Sequence, residues 1–191
     1  METSEIKVNV LRSPTTEDWN RCKDLAMRTS GKKFAGKCVT PEWQDKILTA
    51  AHSPIRTLVF TIEMTIPYFV SVHLVRHKIG VEHYVQSQRN DRQSNYDREV
   101  APQNAPVLHT MEINAESLMF MARRRLCGQA DPTTRYVMSL VCKAIEESNP
   151  EFKGHLVPMC VYQGRCPEFR SCGYYGRSLQ YANQEVLSPA T

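Results

Sequence analysis

The 191-residue chain contains no apolar run near the roughly 18 residues needed to cross a bilayer. Its first residues, Met1-Glu2-Thr3-Ser4-Glu5, have neither a basic region nor an apolar stretch, so no secretory leader is expected. The expectation is a protein away from membranes, in the cytoplasm, where its seven cysteines stay reduced; an odd number without tight spacing does not read as a disulfide scaffold. Internal repeats and low-complexity segments are absent. There is no Gly-rich phosphate loop, no Gly-x-Ser-x-Gly elbow and no His-Glu-x-x-His pair, which removes the usual signatures of mononucleotide-binding loops, serine hydrolases and zinc proteases. Aromatic residues are 8% and are not interleaved with the basic segments, which argues against a single-stranded nucleic-acid surface.

What remains is an ordinary globular composition, 41% apolar and 23% charged, of a length suited to one domain. The net charge of +4 suits phosphate-bearing ligands without selecting among them. Ile6 to Leu11 alternates like a strand. Thr15 to Asp18 opens a helix carrying Trp19, Cys22, Leu25 and Ala26, and Thr40-Pro41 opens another with Trp43 and Ile47 inward. Arg56 to Glu63 predicts a buried strand, and Ile66-Pro67 predicts a helix running to about His77. Glu82 to Pro106 is polar throughout and predicts a long functional loop. Asn114 caps a fourth helix and Asp131-Pro132 a fifth, ending near Glu147. A Cys- and Gly-rich tail, 157–191, closes a single domain, 1–191. The class is α+β, with helices outnumbering strands.

Chemistry concentrates between His73 and Arg98, where four arginines, three histidines and one lysine fall within 26 residues. Gln86-Ser87-Gln88-Arg89 is either a phosphate clasp, since an Arg fork matches phosphate oxygens in pairs, or a solvated basic loop. Arg76-His77-Lys78 ends an apolar helix and points three cations different ways, so at least one should face inward or toward a ligand. In Arg123-Arg124-Arg125, Arg125 shares the side of Met121 and Leu118, while Arg123 and Arg124 are expected in solvent. A buried Arg125 must be paired, by a carboxylate such as Glu63 or Glu112 or by an anionic ligand. Arg135 follows. Cys160, Cys166 and Cys172, with five residues between neighbours, are a weak zinc signal because structural sites space cysteines more closely; no metal is expected.

In this order, these clusters resemble the flavin-dependent thymidylate synthases over roughly residues 6 to 172. That family carries Ser-His-Gln-Leu-Val-Arg-His-Arg followed by Ser-x-Arg-Tyr. Here Ser71-Val72-His73-Leu74-Val75-Arg76-His77-Lys78 and Ser87-Gln88-Arg89 stand in nearly the same arrangement, with Lys78 for the last Arg and Asn90 for Tyr. Ser53-Pro54 resembles the family's Ser-Pro segment before a strand. Asn114 and Arg125 resemble an Asn and Leu-Arg eleven positions apart on one helix. The family's helix bearing Glu-x-Ala-Arg between the two clusters has no counterpart, and Arg92 or Arg98 is the available substitute.

The resemblance implies helices packed on a small antiparallel sheet, a homotetramer with sites between subunits, and FAD as cofactor. It implies methylation of dUMP to dTMP, with methylenetetrahydrofolate as one-carbon donor and NADPH as reductant. Carried over by position, Ser53, Arg76, His77, Lys78 and Asn114 hold FAD. His73, Arg76, Gln86, Ser87, Gln88, Arg89 and Arg125 hold the nucleotide, and Arg125 favours the ionised uracil. The alternatives are another flavin-dependent change to a pyrimidine nucleotide, such as hydroxymethylation, or a nucleotide-binding protein without turnover.

Overall fold

A computed structural model of the chain describes residues 5–36, 38–92 and 97–177. Met1 to Ser4, part of the predicted long loop (93–96) and the end of the tail (178–191) therefore lie outside the described residues.

Two strands follow from plain alternation. In β1 (Lys7–Arg12) and β2 (Val59–Pro67) every second side chain turns inward, and Phe60, Ile62, Met64 and Ile66 are fully buried. β2 pairs antiparallel with β4 (Pro106–Asn114), which in turn pairs antiparallel with β3 (Val81–Val85), giving the order β1-β2-β4-β3. The register places Phe60 opposite Ile113, Ile62 opposite Met111, Met64 opposite His109 and Ile66 opposite Val107. One face of the sheet is therefore a nearly continuous apolar layer. The other carries Glu63, Glu82 and Glu112.

The helices cover the apolar face. Each of four starts on a short polar residue whose side chain accepts a backbone N–H that the helix leaves free. Thr15 and Asp18 form a capping box on α1 (Thr16–Arg28). Thr40 caps α2 (Pro41–Ala50), Asn114 caps α4 (Ala115–Arg125) and Asp131 caps α5 (Pro132–Ser148). α3 (Tyr68–Leu74) and α6 (Met159–Gln163) are short. Phe152 ties the layers together: its ring meets Phe60 of β2 edge-on at 5.1 Å and Trp19 of α1 at 6.1 Å. Trp19 Nε1 donates to Glu151 at 2.7 Å, and Asn149 reaches back to the Pro14 carbonyl. No helix among the described residues is long and apolar enough to cross a membrane.

The structure differs from the sequence-based expectation at three places. β2 begins at Val59, because Ser53-Pro54 starts a short 3-10 helix (Ser53–Thr57) that absorbs Arg56. It then runs through Met64 and Ile66, whose burial against β4 outweighs any start signal at Ile66-Pro67; Pro67, with no N–H to give, ends the strand and precedes α3. α3 stops at Leu74, three residues short of His77. The polar segment from Glu82 contains a strand, and β4, to which no element was assigned, is central to the sheet. In both strands a histidine, His83 or His109, occupies a core-facing position and breaks the apolar alternation.

Candidate functional site

The turn after α3 carries His77, Lys78 and Ile79 to Gly80. Gly80 has φ +67°, and a Cβ there would collide with the Asn114 and Ser117 side chains. Its carbonyl accepts from Asn114 N at 3.0 Å, and Ser117 Oγ donates to the Ile79 carbonyl at 2.7 Å. The turn is thus fastened to the first turn of α4, and the two together wall a cavity of about 880 Å³. Arg76, His77 and Lys78 line it from the turn. Phe120, Arg123, Arg124 and Arg125 line it from α4, and Gln129 and Glu168 stand at its edge. Five permanent cations face two carboxylates, Glu116 and Glu168, and Glu116 is already bound to Arg56 at 2.6 Å. The cavity carries a net positive field and an aromatic face.

Arg125 is the best-fixed cation in it. Its Nε–H donates to His77 Nε2 at 3.0 Å and its Nη2 to the His73 carbonyl at 2.7 Å. Burial lowers its pKa, but from so high a starting point that the charge persists. A guanidinium can only donate, so His77 Nε2 must be a bare acceptor and the ring proton sits on Nδ1. Burial first, then the neighbouring Arg125, His83 and Arg124, hold the His77 pKa down to about 4. His77 is therefore a neutral imidazole with one N–H to offer.

Behind it runs a second histidine pair. His83 Nε2 lies 2.9 Å from the His77 carbonyl, an acceptor, so it carries a proton. His83 Nδ1 and His109 Nε2 are hydrogen-bonded at 2.9 Å, with one proton between them. His109 is 0% exposed, and among the described residues its Nδ1 has no partner. Burial, then the neighbouring His83, lowers its pKa to about 4. His73 is oriented separately. Thr134 Oγ1 gives its proton to Asp131 at 3.0 Å and so accepts from His73 Nδ1 at 2.7 Å.

The structure brings Arg76, His77, Lys78 and Arg125 onto one cavity and His73 directly behind Arg125. Ser53 and Asn114 do not line it; Asn114 spends its Oδ1 on the cap of α4. Gln86 extends the β3–β4 ladder, exchanging bonds with Leu108 through its N–H (2.8 Å) and Oε1 (3.1 Å). Ser87 Oγ accepts from Arg89 N, and Gln88 follows on the same exposed segment. Arg89 is held bidentate by Asp91 at 2.9 and 2.7 Å. This group does not line the cavity within one chain. Arg98 and Arg92 lie beyond it on the exposed loop, and Arg135 donates to the Gly128 carbonyl.

Two expectations for the arginines fail. Neither Glu63 nor Glu112 pairs with Arg125, because both carboxylates stand on the opposite face of the sheet. Arg123, expected in solvent, is 8% exposed and lies flat on Tyr162, its Cζ 3.5 Å from the ring centroid. The signal was present: Arg123 is four residues after buried Met119 and next to buried Ala122. Phe120, Glu168 and the His83–His109 pair were also missed. All seven cysteines are free, and no group of three His, Cys, Asp or Glu side chains among the described residues is arranged to hold a metal ion.

The cavity offers cations for phosphate groups, the Phe120 ring as a flat apolar face, and His77 as a neutral donor, groups that could hold an anionic ring-bearing ligand.

No protein-family model matches the chain, and no curated protein matches it by sequence. Solved structures do match its fold. Thymidylate Synthase X (ThyX) from Helicobacter pylori, solved with FAD and dUMP, superposes with a TM-score of 0.62 at 13% identity, over 82% of this chain and 99% of that one. A UMP/dUMP methylase, PolB from Streptomyces cacaoi, bound with 5-Br dUMP, gives 0.55 at 15% identity, over 80% and 97%. The same protein with 5-Br UMP gives 0.55 at 16%, over 80% and 96%. The chain thus has the fold of the flavin-dependent thymidylate synthases, helices packed on a four-stranded antiparallel sheet.

Proposed function

We propose that the protein is a flavin-dependent enzyme that acts on a pyrimidine nucleotide, methylating dUMP to dTMP with methylenetetrahydrofolate as one-carbon donor and NADPH as reductant. The observation that carries this is the convergence of Arg76, His77, Lys78 and a doubly anchored Arg125 on one cationic cavity, in a chain whose fold is shared with a protein solved with FAD and dUMP. FAD, when bound, supplies the hydride chemistry. Arg76 and Lys78 balance the phosphate charge, Phe120 offers its ring face, and His77 donates Nδ1–H. Arg125, held still by His77 and the His73 carbonyl, is a fixed cation against which a uracil ring ionises more readily, raising electron density at its carbon 5. Such preorganised charge needs no rearrangement as the reaction proceeds.

His73, Gln86, Ser87, Gln88 and Arg89 hold the nucleotide in this scheme. Because Gln86 to Arg89 do not line the cavity of their own chain, the complete site forms between subunits, as in a homotetramer. The uncovered sheet face, with Tyr84 62% and Leu108 42% exposed, supports such contact. Ser53 and Asn114 keep their cofactor assignment by position in the chain alone.

A second reading is a change to UMP or another pyrimidine nucleotide on the same scaffold, favoured by the likeness to a UMP/dUMP methylase. The test is to add FAD to the purified protein, record its visible spectrum with dUMP and with UMP, then supply methylenetetrahydrofolate and NADPH and weigh the product. A flavin band perturbed by dUMP and a product heavier by one CH2 support the first reading. Turnover of UMP alone supports the second, and a protein that takes up no FAD overturns both.

A further inference from the structure

Arg123 stands between two cavities. One is the large cavity already described. The other, of about 360 Å³, lies toward α2 and the segment after α5, and Arg123 lines both. In the small cavity Arg123 is joined by Lys153, His155, Asp45, Thr49 and Tyr162. Asp45 is spent on His155, 3.1 Å from its Nε2. Among the described residues neither Arg123 nor Lys153 has a carboxylate within 4 Å. Arg123 is buried at 8% exposure, and its Nε has no hydrogen-bond partner. Stacking on Tyr162 occupies the face of the guanidinium, and Tyr162 also takes a hydrogen bond from it, but Nε on its edge stays open.

A buried cation without a directly bonded counter-charge is costly: burial depresses the Arg123 pKa, and Tyr162 and the more distant Glu116 offset this only in part. The expense is explained if a ligand supplies the negative charge. We propose that the small cavity is a second binding site, for a compact oxyanion, with Arg123 and Lys153 as its counter-charges. The class is a carboxylate or phosphate group on a small body, since about 360 Å³ falls near the lower end of ligand cavities. Because Arg123 also faces the large cavity, an anion held here touches the wall of the cofactor site without entering it.

The test uses the full chain and the NMR signal of the Arg123 Nε–H, assigned by its loss in Arg123→Lys. Wild type is titrated with inorganic phosphate and, separately, with benzoate. The expected result is a saturable shift with at least one of them. Phosphate alone identifies a phosphate site, benzoate alone a carboxylate site, and both a general oxyanion site. Lys153→Gln, which leaves the large cavity intact, should weaken that binding roughly tenfold or more, the loss of one charge-assisted contact. It should leave FAD uptake unchanged. The same titration of Arg76→Gln, altered only in the large cavity, should match wild type. No saturable shift with either anion, or a shift indifferent to Lys153→Gln, overturns the proposal and makes Arg123 a structural cation stacked on Tyr162. The anion titrations depend on neither turnover nor bound flavin.

Discussion

Arg125 donates its Nε–H to His77 Nε2 across 3.0 Å, and that one bond decides the state of both residues. It fixes the guanidinium at the cavity wall, and it denies a proton to the ring nitrogen it meets. A cation and a neutral imidazole then act as one unit, with the positive charge on the α4 side and the free N–H on the turn.

Replacing Arg125 by Ala should therefore have two separable effects. Turnover of dUMP should fall by about 10²–10³ or more, as when a preorganised electrostatic group is lost, while FAD remains bound. The His77 pKa should rise from about 4, because the second of the causes that depress it has gone. Steady-state kinetics and imidazole NMR check the two separately, and full turnover would remove Arg125 from its assigned role.

Replacing Arg76 by Ala should release flavin from the purified protein. A variant that stays yellow through gel filtration would count against Arg76 as a cofactor ligand.

Acid should destabilise the fold in a defined window. His77 and His109 each have a pKa lowered from 6.5 to about 4 when folded. Between those values the unfolded chain binds more protons than the folded one, so protonation favours unfolding. Stability is intact above pH 6.5 and declines as the pH falls toward 4. For fully buried His109 the loss is on the order of 3 kcal/mol at the bottom of the window. Urea midpoints measured across that range should fall with pH, and His109→Leu should flatten the decline.

Gly80→Ala should cost about 1–3 kcal/mol, since the residue sits at φ +67° with two side chains where a methyl group would go. The strain falls on the joint between the turn and α4, so FAD affinity should drop along with the thermal midpoint. An unchanged affinity would mean the turn moves without consequence for the cavity.

The parts of this fold that were legible are those governed by neighbours in the chain. Thr15, Thr40, Asn114 and Asp131 each announce a helix, because a short polar side chain satisfies an N–H only three residues away. β3 and β4 were hidden, because His83 and His109 occupy positions where a core strand ordinarily has an apolar residue, and their mutual bond across the sheet, with the bond of His83 to the His77 carbonyl, makes them tolerable there. Of the site, the Arg76-His77-Lys78 turn and Arg125 could be named from the chain, but their meeting could not. It depends on Gly80, Asn114 and Ser117 locking two distant segments together. The burial of Arg123 depends on Tyr162, 39 positions away, and local spacing offers only the weaker hint of Met119.

The chain leaves the sheet at Gln86 and returns at Pro106, and both gates are bolted. Gln86 is tied to Leu108 by two hydrogen bonds, while Tyr68 N and Phe69 N hold the carbonyls of Ala105 and Gln103 at 2.9 and 3.0 Å. An excursion clamped at its base is isolated from the frame that carries it. Doubling its length would cost only about 0.6 kcal/mol of closure entropy and would leave the Arg125–His77 unit where it is. Beyond Arg89 its length is thus free to change without moving the cavity.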